Sequence, residues 1–73
     1  MKAKYELFNE YIVHFKNYPA LTVWAKDYTI ITADGVNIVD FIGTHKDSKI
    51  AFINPTEIVY VATERCNVAL EVE

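Results

Sequence analysis

The stretch Lys49 to Thr63, KIAFINPTEIVYVAT, holds two apolar runs separated by one four-residue break, Asn54-Pro55-Thr56-Glu57. Ile50 to Ile53 and Ile58 to Val61 are rich in β-branched and aromatic residues, which suit a pleated, packed surface. Pro55 has its φ preset and lacks a backbone N–H, so it belongs in neither a helix interior nor a central strand. It fits the opening of a tight turn or a single 3₁₀ turn. The reading is a strand, a one-turn connection and a closing strand, with either Ile58 and Tyr60 or Val59 and Val61 directed inward.

Working outward from there, the C-terminal side is interrupted at Glu64-Arg65-Cys66-Asn67, after which Val68, Leu70 and Val72 alternate with Ala69, Glu71 and Glu73. That alternation predicts an extra amphipathic strand. A small sheet protein offers such a strand few partners in its own chain, so it is expected to cover an edge or to add to a neighbouring molecule's sheet.

On the N-terminal side, Gly43 to Ser48 reads as a solvated loop. Before it, Tyr28 to Ala33 and Val36 to Ile42 flank Asp34-Gly35, a pair that tolerates positive φ and is the strongest hairpin signal in the chain. Ala20 to Ala25 is a strand with Leu21, Val23 and Ala25 on one face and Thr22 and Trp24 on the other. It returns from Tyr11 to Phe15 through the turn residues Lys16-Asn17-Tyr18-Pro19. Lys2 to Asn9 carries helical spacings (Lys4/Phe8, Leu7/Tyr11) as well as an alternating Tyr5/Leu7, and is read as a short helix supported by the Lys2/Glu6 pair.

Five or six short strands joined by tight turns predict one mainly β domain over residues 1–73, a meander that closes into a small antiparallel barrel. A chain of 73 residues is enough for one core, and 52% hydrophobic with 23% charged residues excludes a disordered tail. No uncharged stretch approaches the length of a membrane-spanning helix, and Glu6 and Glu10 interrupt any leader-like run, so neither a membrane association nor a signal peptide is expected. A single cysteine forms no intramolecular disulfide, in keeping with a reducing cytoplasm. Ten acids against seven bases disfavour broad polyanion binding.

The apolar residues exceed what one buried face needs. Val39 and Phe41 oppose Val36, Ile38 and Ile42; Tyr11, Val13 and Phe15 oppose Ile12. Whichever set is inside, another remains outside, and a contiguous outward set marks a contact face for self-association or a protein partner. Trp24, Tyr18 and Tyr28 are candidate anchors, with Ile38, Ile42, Val68, Leu70 and Val72 as the apolar contributors.

Chemistry is sparse. His14 and His45 are separated, and with one Cys they make no metal-ligand set. Cys66 acts as a nucleophile only with a base beside it, and with two glycines there is no phosphate loop. The expectation is a protein that is not an enzyme and uses neither cofactor nor metal.

The order IVHFKN, LTVWAKDY, an ADG turn, VNIVDFI and KIAFINPTEIVYV, over Tyr11 to Glu64, resembles the small, largely uncharacterised β-rich proteins of phages and prophages of Gram-positive bacteria. Val23-Trp24-Ala25 and Ala51-Phe52-Ile53-Asn54 match their soft motifs; Tyr18-Pro19 stands where they carry a glycine. Strand order and the turn before the closing strand are also similar to SH3-like and Sm-like small barrels. The excess of apolar surface predicts self-association as a homodimer. The resemblance implies an accessory protein, in the cytoplasm of a bacterial host, that modulates a host factor by binding. The alternative it leaves open is a single-stranded nucleic-acid binder stacking bases on Trp24, Tyr18 and Tyr28, with Lys16 and Lys26 on phosphates.

Overall fold

The expected N-terminal helix is a strand. In the computed structural model, which describes residues 3–48 and 58–72, β1 runs over Tyr5–Phe15. The helical spacings of this segment are worth a few tenths of a kcal/mol per pair. A long antiparallel partner outweighs them by satisfying the backbone along the whole strand. That partner is β5, Ile58–Glu71, paired from Tyr5↔Glu71 to Phe15↔Ile58. On its other side β1 pairs with β2, Leu21–Ala25, giving a sheet in the order β2-β1-β5. The strands β3, Asp27–Ala33, and β4, Val36–Ile42, form a separate antiparallel hairpin. Asp34 (φ 51°) and Gly35 (φ 76°) close it, the positive φ at both central positions that a twisted two-residue hairpin requires.

Two further expectations are corrected. Residues 68–72 are no separate strand in search of a neighbour: Val68 and Leu70 pair with Phe8 and Glu6 of β1, and the Val72 N–H bonds to the Lys4 carbonyl at 2.8 Å. Glu64 to Asn67 does not interrupt the strand but bulges it, with Asn67 at φ 61°. β5 has 14 residues against 11 in β1, and the three extra are absorbed at three register shifts. The shift between His14 and Phe15 leaves Val59 unpaired, so Ile58 and Val61 point to one face. Neither Ile58/Tyr60 nor Val59/Val61 is therefore the inward pair. Ile58 and Val61 pack on the core, while Val59 and Tyr60 are exposed.

The hairpin lies across β1 and β2. Tyr11, Val13, Val23, Ala25 and Phe41 form the buried cluster, with Tyr11 edge-on to Tyr28 at 5.1 Å and tilted against Phe41 at 5.8 Å. Lys26 N–H, bonded to the carbonyls of Ile42 (2.9 Å) and Gly43 (3.2 Å), ties the two sheets where β2 passes into β3. Among the described residues the sheets do not close into a barrel, since β4 pairs with β3 and β5 with β1. The Asn54-Pro55-Thr56-Glu57 break and the strand expected over Ile50 to Ile53 lie outside the described residues. Among the described residues no helix is long and apolar enough to cross a membrane.

Candidate functional site

The sites read from the sequence fall in three separate places. At the edge of β2, Trp24 is half-buried: the Trp24 N–H donates to Ser48 Oγ (2.9 Å), and the Trp24 carbonyl accepts from His45 N–H (2.8 Å) and Ser48 Oγ–H (3.2 Å). The loop thus substitutes for a neighbouring strand: Gly43, Thr44, Lys46 and Asp47 are exposed, as expected of a solvated loop, but His45 and Ser48 dock it. Its anchor is His45, 5% exposed, which packs edge-on to Phe8 at 5.2 Å and near Trp24 at 6.4 Å. His45 Nδ1 accepts from the Asp47 N–H (3.1 Å), so Nε2 carries the proton and donates to the Glu71 carbonyl (2.6 Å). With Nδ1 bare, the Asp47 carboxylate 3.8 Å away makes no ion pair with it.

This corner encloses a hollow of about 310 Å³ bordered by Glu6, Lys26, Thr44, Lys46 and Val72. Its groups are engaged in structure. Lys26 Nζ donates to the Leu7 carbonyl (2.7 Å), lies 3.1 Å from the Glu6 carboxylate and sits 4.2 Å over the Phe8 ring. Both ring nitrogens of His45 are used in hydrogen bonds. On the same face of the sheet, Arg65 Nε meets Glu10 Oε2 at 2.5 Å; that hydrogen bond and the carboxylate's charge hold the guanidinium above its ordinary pKa. Cys66 is exposed on β5.

At the opposite end, Tyr18 is exposed and edge-on to Phe15 at 6.4 Å, whereas Tyr28 belongs to the core between Tyr11 and Phe41. Trp24, Tyr18 and Tyr28 therefore make no common stacking platform, and Lys26 is committed to Glu6, Leu7 and Phe8. His14 lies flat on Tyr60, ring centroids 4.2 Å apart.

The third place is the hairpin. Ile38 and Ile42 lie on its outward face, in the cross-strand rows Ile31↔Ile38 and Asp27↔Ile42. Its inward face is seated on the core at the Tyr28↔Phe41 row, and Val39 of the next row also packs against the core cluster. In that row, Ile30↔Val39, it is the β3 side that overhangs the sheet, and Ile30 is 58% exposed. Below the overhang runs a groove of about 280 Å³ between Ile30 and Val39 above and Ile58, Val59, Tyr60 and Val61 of β5 below. Asn37, whose Oδ1 accepts from Thr32 Oγ1–H at 2.7 Å, borders it, and among the described residues no charged side chain lines it.

Sequence reasoning passed over Ile30 and Ile31 as contacts and put Val59 and Tyr60 on opposite faces. Thr29-Ile30-Ile31-Thr32 places one isoleucine on each face of β3, which was legible; the β5 bulge that exposes Val59 together with Tyr60 depends on register and was not. Comparison of the chain with family models, with curated proteins and with solved structures found no match.

Proposed function

We propose that the chain is a non-enzymatic protein-interaction module that self-associates through the groove beneath the hairpin overhang. The observation that carries this reading is the groove itself: aliphatic and aromatic on both walls, without a charged side chain among the described residues, and built from strand residues. An uncharged apolar surface packs on a copy of itself without like-charge repulsion, the condition a two-fold interface imposes. The molecule's surface points the same way. It exposes 5251 Å², whereas a compact monomer of 8.4 kDa exposes about 4600 Å². The excess is about 650 Å². The radius of gyration, 13.1 Å, likewise exceeds the about 11 Å of a compact chain of this length.

In this reading the scaffold is a small barrel of the SH3-like or Sm-like kind, and the protein is an accessory factor that acts by contact, as its resemblance to phage proteins suggests. Sedimentation equilibrium over a micromolar concentration series tests the proposal. A dimer is expected, converted to monomer by Ile30→Glu, which puts a carboxylate into the groove. A protein monomeric at every concentration, or an Ile30→Glu variant that still dimerises, overturns it.

A further inference from the structure

The chain's net charge is unevenly placed. Hairpin residues 27–42 contain Asp27, Asp34 and Asp40 and no lysine or arginine. Ten acids less these three leave seven elsewhere, against seven bases, so the formal charge of −3 resides on the hairpin. The three carboxylates are arranged around apolar side chains. On the outward face the cross-strand rows run Asp27↔Ile42, Thr29↔Asp40, Ile31↔Ile38 and Ala33↔Val36, and the tip carries Asp34. Ile31 is 47% exposed and Ile42 49%, and Val36 beside them is exposed as well. An aliphatic centre thus lies between acids at the tip and acids at the seated end, the apolar-core and polar-rim pattern of a binding patch.

We infer that this outward face docks a basic, aliphatic segment of another protein: a strand or amphipathic helix whose aliphatic residues cover Ile31, Ile38 and Val36, with lysine or arginine on both sides. The charge arrangement selects this occupant over a second copy. A copy packed face to face would bring its own aspartates against Asp34 and Asp40, and the hairpin has no base to offset them. The acids at the two ends stand roughly 15–20 Å apart along the strand, about six residues at 3.3 Å each, which sets the separation of the partner's bases. This face is independent of the groove. Ile31 and Ile30 are consecutive residues of β3 and point to opposite sides, so the inference stands or falls apart from self-association.

The probe is a synthetic leucine–lysine amphipathic helix of about 14 residues, roughly 20 Å long, compared with the same peptide carrying glutamate for lysine. Fluorescence anisotropy against the full chain is expected to show the lysine peptide binding at least about tenfold more tightly at low salt, with the preference shrinking as salt is raised. The Asp34→Asn/Asp40→Asn variant keeps both backbone geometries, asparagine being at home at the positive φ of position 34, and is expected to lose most of that preference. Ile31→Ser/Ile38→Ser is expected to abolish binding while the thermal melt and the sedimentation behaviour stay close to those of the parent. Equal binding of the two peptides, an unchanged preference in the double asparagine variant, or undiminished binding by a folded Ile31→Ser/Ile38→Ser variant overturns the inference. So does a dimer of the parent that Ile31→Ser/Ile38→Ser dissolves, since a second copy would then occupy the face.

Discussion

The two ends of the β3–β4 hairpin share strands, alternation and residue types, yet differ in what surrounds them. At the seated end Phe41 is 9% exposed against Tyr11; two residues along the same face of the hairpin, across the row Ile30↔Val39, Ile30 is 58% exposed. Nothing in side-chain chemistry separates a phenylalanine from an isoleucine to that degree. The difference is that Phe41 packs against Tyr11 within the buried cluster, whereas in the next row only Val39 reaches that cluster and Ile30 borders the groove. Burial in a small sheet protein follows what stands opposite a residue, and an apolar side chain left without an opposing sheet becomes surface that a partner can cover.

The largest expected effect tests that contrast directly. Phe41→Ala removes a ring from the only well-packed cluster among the described residues and is expected to cost about 3–5 kcal/mol, enough to unfold much of a marginal small domain. Ile30→Ala, on the same hairpin face, is expected to cost less than about 1 kcal/mol in the monomer. Urea titrations at low protein concentration measure both, and equal losses would erase the distinction between the ends. His45→Ala comes next. It strips the Asp47 N–H and the Glu71 carbonyl of their partners and is expected to cost about 1–3 kcal/mol, with faster amide exchange at Asp47 and along residues 43–48; protected amides there would show that the loop docks without it. The smallest effect sharpens the account of the overhang. Gly35 would meet nothing within 4 Å through an added Cβ, so Gly35→Val acts on backbone conformation alone, and a loss of about 1 kcal/mol is expected in a thermal melt. A much larger loss would mean that the tip is packed after all.

Much of the architecture was legible in residues with strong local chemistry. Asp34-Gly35 marked the hairpin because few other residue pairs accept positive φ twice, and Val39 with Phe41 against Ile38 with Ile42 separated its faces correctly. The outward isoleucines were legible as candidate contacts for the same reason. Lys2 to Asn9 was misread because helical and alternating spacings coexist there. Its choice is made by β5, more than fifty residues away in the chain. His45 was read as a polar loop residue, since nothing local reveals that Phe8, Trp24 and the Glu71 carbonyl converge on it.

The sequence by itself determined the class of structure: mainly β, one tight hairpin, an excess of apolar residues over what one face can hold, and a net negative charge. These follow from φ preference, period-two alternation and composition, which are properties of neighbours in the chain. Only the tertiary structure decided which apolar residues are covered, because that depends on strand order and register. One extra residue in β5, at the shift between His14 and Phe15, leaves Val59 and Tyr60 outward and brings Ile58 and Val61 in, and Ile30 stands over a groove while its row partner Val39 packs on the core. Pairing between distant strands satisfies whole rows of backbone groups at once, so it overrides the local preferences that are all a sequence displays.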